Sequence, residues 1–250
     1  MWLGSTGVPL DRLRQLSLGL SPNFGPRRDG AVPDIIVLHY TAMPDWEKAR
    51  DWLCNPEAEV SAHYIISPQG NVVSLVDEGQ RAWHAGAGSW GGVTDVNSRS
   101  IGIELSNDGY SPFAAPLMDG LMGLLPAIMD RWAIRPERVI AHSDLAPGRK
   151  IDPGARFDWA RLVRSGLAVG SSLPLAGSSG EGSHVEVDER QFLKDAHAIG
   201  YDSQIDLHTL LSALRLRHRQ GHEGPLDRWD CAIAADLAKR FPVAKHGLVS

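Results

Sequence analysis

Asp34-Ile35-Ile36-Val37-Leu38-His39-Tyr40-Thr41 sets an aliphatic, largely β-branched run between an aspartate and a histidine. A short continuous apolar run of this kind fits a buried strand. Its surroundings supply the other layers. Trp46, Ala49, Trp52 and Leu53 recur at helical spacing, which predicts a helix over 45–54 with Asp45 as its cap. Two strand-like runs follow over 63–67 and 72–76, and Pro68-Gln69-Gly70-Asn71 between them reads as a hairpin turn. Ile101, Ile103 and Leu105 alternate with Gly102 and Glu104, a strand of period two. The apolar segment 116–132 predicts a helix interrupted or kinked near Pro126. A further short strand over 138–141 and a closing helix over 157–164 complete the pattern. Strands interleaved with helices give the α/β (α+β) class: a mixed β-sheet flanked by helices.

Composition changes sharply once. Residues 166–187 are a Gly/Ser-rich stretch that reads as a flexible linker. It divides a first domain, 1–165, from a second, 188–250. In the second, Phe192, Leu193, Ala196 and Ile199 share one face. Leu207, Leu210, Leu211 and Leu214 share another, and Trp229, Ala232, Ile233 and Leu237 a third. That is a small three-helix module.

The chain has 250 residues, 43% hydrophobic and 22% charged, the balance of a soluble globular protein. The net charge of −5 and scattered Lys and Arg leave no footprint for nucleic acid. No apolar stretch approaches the roughly 20 residues of a membrane span. The N-terminus shows no basic segment followed by an apolar one, which predicts a cytoplasmic protein, with the periplasm or cell envelope as the alternative. Cys54 and Cys231 fall in different candidate domains and read as thiols in a reducing compartment. Nothing in the sequence fixes the oligomeric state.

The residues able to carry chemistry are spread widely. His39 closes the first strand, and His142 closes the run Val139-Ile140-Ala141. Asp152 follows ten residues later in Lys150-Ile151-Asp152-Pro153-Gly154. Two imidazoles and one carboxylate are the ligand set of an open zinc site. By spacing alone they are equally compatible with hydrogen-bonded core histidines and a turn aspartate. Glu104 lies in an apolar strand and reads either as a general base or as half of an ion pair. Lys150 would share a face with Asp152 if the segment is extended, and could meet an oxyanion. Trp83-His84-Ala85-Gly86 through Trp90 is a glycine- and aromatic-rich loop suited to sugar rings or to packing on the core. His63 and Tyr64 are strand neighbours, so at most one of them lines a site on a given face.

Taken together, Val37-Leu38-His39-Tyr40-Thr41, Ser61-Ala62-His63-Tyr64, Trp83-His84-Ala85-Gly86, Ile101-Gly102-Ile103-Glu104-Leu105-Ser106-Asn107, Ala141-His142-Ser143-Asp144 and Lys150-Ile151-Asp152-Pro153-Gly154 form a series in order. The series resembles the zinc-dependent N-acetylmuramoyl-L-alanine amidases of the AmpD/AmiD type, relatives of phage T7 lysozyme and the peptidoglycan recognition proteins. The resemblance implies zinc bound by His39, His142 and Asp152. It implies Glu104 as the group that activates water and Lys150 as stabiliser of the tetrahedral intermediate. Tyr64, Trp83, His84, Trp90 and Asn107 would contact substrate. The substrate would be peptidoglycan or muropeptides, cut between N-acetylmuramic acid and L-alanine. Residues 188–250 resemble the peptidoglycan-binding domain appended to some of these enzymes. The alternative is a non-catalytic recognition protein of the same fold. Such members lack the full ligand set that this chain keeps.

Overall fold

The computed structural model describes residues 21–173 and 186–243. The N-terminal segment behind the leader reading and the middle of the Gly/Ser-rich stretch lie outside the described residues. In chain order the elements are β1 (Phe24–Pro26), β2 (Ile35–Tyr40), α1 (Trp46–Leu53), β3 (Tyr64–Ile66), β4 (Val72–Ser74), β5 (Gln80–Ala82), α2 (Val96–Arg99) and β6 (Ser100–Leu105). They continue with α3 (Ala115–Trp132), β7 (Val139–Ala141), α4 (His142–Leu145), α5 (Trp159–Arg164), α6 (Glu189–Ile199), α7 (Leu207–His218) and α8 (Arg228–Arg240). Among the described residues no helix is long and apolar enough to cross a membrane.

Five strands form one sheet in the order β4-β3-β6-β2-β7. β2 pairs in parallel with both β6 and β7, and β3 in parallel with β6, while β4 closes the edge antiparallel. Central parallel strands are covered on both faces, which is why β2 reads as an unbroken apolar run. One face, with Ile36, Leu38, Ile103 and Leu105, packs on Leu117, Leu121, Leu125 and Ile128 of α3. That helix runs unbroken through Pro126. The proline removes a single backbone donor and is exposed, while Leu125 and Ile128 stay buried on either side of it.

The second face is shared. Near β3 and β4, Ile65 and Val73 pack under Ala49 and Leu53 of α1, whose first turn is capped by the Asp45 carboxylate accepting from Lys48 N–H. Near β7, Ile35, Val37 and Ile140 pack against Phe192, Leu210, Leu214 and Leu237 of α6, α7 and α8. The helical module is thus a layer over the sheet, continuous with its core. The head of the Gly/Ser-rich stretch is packed too, with Leu167 and Ala168 buried on the α3 side. A composition break marks a tether and carries no information about whether the tethered part docks. No disulfide joins Cys54 and Cys231.

Between α1 and the helical module the second face is open. The C-terminal ends of the parallel strands β2 and β6 and the end of β7 emerge there, the usual place for ligands on such sheets.

Candidate active site

Strand register brings the first two groups together. His39 on β2 lies opposite Glu104 on β6, on the open face. β7 pairs beside β2 and hands its chain to the single turn of α4, so that His142 follows directly after Ala141. Ser143 N–H donates to the Asp152 carbonyl at 3.0 Å, which draws the loop ending at Asp152 back to that turn. His39 Nδ1, His142 Nδ1 and Asp152 Oδ2 end up 2.9, 3.0 and 3.0 Å apart. All three residues are buried.

The protons on these rings can be placed. His142 Nε2 lies 2.9 Å from the Ala85 carbonyl, which can only accept, so Nε2 carries a proton and Nδ1 is the nitrogen turned to the cluster. Ser100 Oγ donates to the Val96 carbonyl at 2.6 Å and so must accept from His84 Nε2–H at 3.1 Å. His84 Nδ1 is then an acceptor, and accepts from His39 Nε2–H at 3.0 Å. His39 therefore turns Nδ1 to the cluster as well. Burial, aided by His142, lowers the His39 pKa to about 4, keeping the ring neutral. Two imidazole nitrogens and a carboxylate oxygen converge on one point, close enough together for a single metal ion to bind all three.

Glu104 stands beside the cluster. Its Oε2 is buried and has no hydrogen-bond partner among the described residues. Burial, with the Asp152 charge adding to it and Lys150 opposing, raises its pKa to about 8. Lys150 is exposed on the wall of the same cavity, a cleft of about 520 Å³ above the cluster. A cavity of about 610 Å³ between α5 and helices α7 and α8 holds none of these groups. The convergent ligands and the perturbed carboxyl single out the former.

The expected contact residues divide. Trp83 is half-buried in the cavity wall. His84 also borders the cavity, but both ring nitrogens are taken by His39 and Ser100, so it has no polar atom to give a substrate. Tyr64 is on the other face of the sheet. Ile65, its neighbour, lies opposite Glu104, so Tyr64 points into the α3 core and its hydroxyl donates to Glu78 Oε1 at 2.6 Å. Trp90 is 1% exposed and stacks edge-on against Tyr201 of the helical module, 5.0 Å between centroids. Asn107 is buried and closes its own loop, accepting from Gly109 N–H and donating to the Ser111 carbonyl. None of these three lines the groove. The groove instead uses Trp52, 54% exposed at its rim with Val60 and Ile151. Trp52 shares its helical stripe with core residues, so periodicity alone hides it.

Gly102 has a specific reason to be glycine. A Cβ there would stand 2.4 Å from the His84 ring. Gly102→Ala is expected to push His84 off His39, weaken metal binding about tenfold and lower the melting temperature, read by chelator competition and calorimetry.

The profile of the N-acetylmuramoyl-L-alanine amidase family matches residues 29–155. That segment contains His39, Glu104, His142, Lys150 and Asp152. The chain belongs to this amidase family. Its likeness to N-acetylmuramoyl-L-alanine amidase AmiD of Escherichia coli is 32% identity over 231 residues, covering 83% of each protein. The 1,6-anhydro-N-acetylmuramyl-L-alanine amidase AmpD of the same organism is 32% identical over 159 residues, 57% of this chain and 87% of that one. Among solved structures, the complex of E. coli AmiD with anhydro-N-acetylmuramic acid-L-Ala-D-gamma-Glu-L-Lys superposes with a TM-score of 0.75 at 31% identity. It covers 85% of this chain and 92% of that one. AmpDh3 from Pseudomonas aeruginosa in complex with anhydromuramic pentapeptide gives 0.73 at 27%, covering 84% and 92%. These two likenesses extend past the amidase sheet into the helical module, whereas the AmpD likeness spans little more than half the chain.

Proposed function

We propose that this family member is a zinc hydrolase that cleaves the amide between the lactyl group of N-acetylmuramic acid and L-alanine of a peptidoglycan stem peptide. The observation that carries the reading is the convergence of three ligand atoms beside a buried glutamate oxygen with no partner among the described residues, in an open cleft. Two imidazoles and one carboxylate suit zinc with one position left open. When bound, zinc supplies Lewis acidity, acidifying water and polarising a carbonyl.

The chain's own residues supply the rest. Glu104 Oε2, with no competing hydrogen bond, takes the proton of the attacking water and returns it to the leaving L-alanine amine. Lys150 brings its ammonium to the developing oxyanion from the cavity wall. Trp52, Val60, Trp83 and Ile151 offer apolar surface to the sugar ring and stem. Muropeptides, the 1,6-anhydro form included, are the substrate class, in line with the ligands of the solved relatives.

Lys150→Ala is expected to lower kcat about 100-fold with KM nearly unchanged, since its contact strengthens only as charge develops. The reading as a whole is tested with two substrates, purified sacculi and soluble anhydro-muropeptides. New alanine amines should appear with at least one, stop with chelator and return with zinc. Binding to sacculi without amine release from either substrate would make the chain a recognition protein instead.

A further inference from the structure

Behind His142 lies a buried ion pair that joins the helical module to the sheet. Asp144, two residues after His142 in α4, is fully buried. Its Oδ2 accepts from Ala141 N–H at 2.9 Å and from Arg217 Nη1 at 2.6 Å, and its Oδ1 accepts the Tyr201 hydroxyl at 2.7 Å. Arg217 Nη2 donates to the Val139 carbonyl at 2.9 Å, and its guanidinium lies 4.5 Å over the Trp159 ring. One guanidinium on α7 thus grips both the strand that leads to His142 and the turn that carries it.

The other support of His142 is braced by the same module, alongside Arg149 and Asn97 of the amidase domain. Its Nε2–H donates to the Ala85 carbonyl, at the start of the 85–91 loop. That loop is held by Trp90 against Tyr201, by Gly91 N–H to the Gly200 carbonyl at 2.8 Å, and by the Ser89 hydroxyl to Asp202 at 2.7 Å. A Cβ on Gly200 would meet the Trp90 ring at 2.6 Å, so the approach is as close as glycine allows.

A buried ion pair is a weak source of net stability compared with apolar groups of the same volume. Its geometry is strict, because a planar guanidinium satisfies a carboxylate and a carbonyl together in few arrangements. From this we infer that Tyr201 and Arg217 are positioning residues of the metal site: through Asp144 and Val139 they set His142 at the distance from His39 and Asp152 at which one ion is shared. The inference rests on the metal-site reading above and gives the helical module a part in building the active site.

The experiment uses the full chain and zinc alone as the probe, at a temperature where every variant is folded. Tyr201→Phe keeps the ring on Trp90 and removes one hydrogen bond to Asp144. Arg217→Lys keeps the charge and gives up the simultaneous hold on Val139. Each is expected to raise the zinc Kd about tenfold and to lower kcat with KM little changed. Variants that lose melting temperature yet bind zinc with wild-type affinity would overturn the inference and leave the pair a structural one. Should Arg217→Lys fail to fold, Tyr201→Phe decides. If wild-type chain takes up no zinc, or takes it up equally well in His39→Ala, the metal reading itself falls, and the inference with it.

Discussion

Glu104→Gln is expected to lower kcat/KM on a muropeptide about 1,000-fold while the purified protein retains one zinc per chain. The substitution keeps the shape and removes the base. Among the described residues, Glu104 carries the one buried oxygen of the cleft that has no hydrogen-bond partner, and such an atom is costly unless it has work to do. Stability should move the other way. In the metal-free fold the carboxyl titrates at about 8, whereas in the unfolded chain it titrates near its ordinary value of 4.5. A raised folded pKa contributes stability below the unfolded pKa and loses it as pH rises through the folded one. Metal-free wild type should therefore weaken between about pH 4.5 and 8. Glu104→Gln should lack that slope and melt several degrees higher at pH 8. A cation in the neighbouring cluster favours the ionised carboxyl, which is the form a base needs. Melting curves against pH and a kinetic assay check both halves. Loss of zinc in this variant would mean that Glu104 is a ligand.

His142→Ala is expected to raise the zinc Kd by more than about 100-fold and to bring amidase activity to background at ordinary zinc concentrations. Partners of a ligand are commonly worth 10- to 100-fold in affinity, so a ligand itself should exceed that. The change also removes one of the two donors to the Ala85 carbonyl, leaving it to Arg149 Nη2 alone. Equilibrium dialysis and elemental analysis measure the loss. Retained stoichiometric zinc would remove His142 from the ligand set and require another donor.

What could be read from the sequence follows from how local each signal is. β2, β6 and β7 are legible because buried parallel strands are apolar along their length. Helices α1, α3 and α6 to α8 are legible because each buries one stripe. β1 and β5, paired through Phe24–Pro26 and Gln80–Ala82, have neither pattern and leave no signal in the sequence. The single turns α2 and α4 are too short to show a period. His39, Glu104, His142, Lys150 and Asp152 are gathered at one cleft, as the family resemblance implied. The contact residues fared unevenly, because a motif specifies neighbours along the chain and not which face they take. Tyr64 sits in a family motif but has the wrong strand parity. Trp90 is buried because the helical module docks on its loop, a tertiary fact that no nearby residue signals. Trp52 and the rim it forms with Val60 and Ile151 depend on α1 leaving part of its stripe uncovered.

A metal cluster that directs water to one particular amide leaves the water's oxygen on one particular carboxylate. The most direct measurement is mass spectrometry of a defined muropeptide digested in ¹⁸O-labelled water, with and without chelator. The account predicts two products, a peptide beginning with free L-alanine and a muramic acid whose lactyl carboxylate carries one ¹⁸O, both absent under chelation. Cleavage within the stem peptide or at a glycosidic bond, or the same products formed at the same rate under chelation, would contradict it.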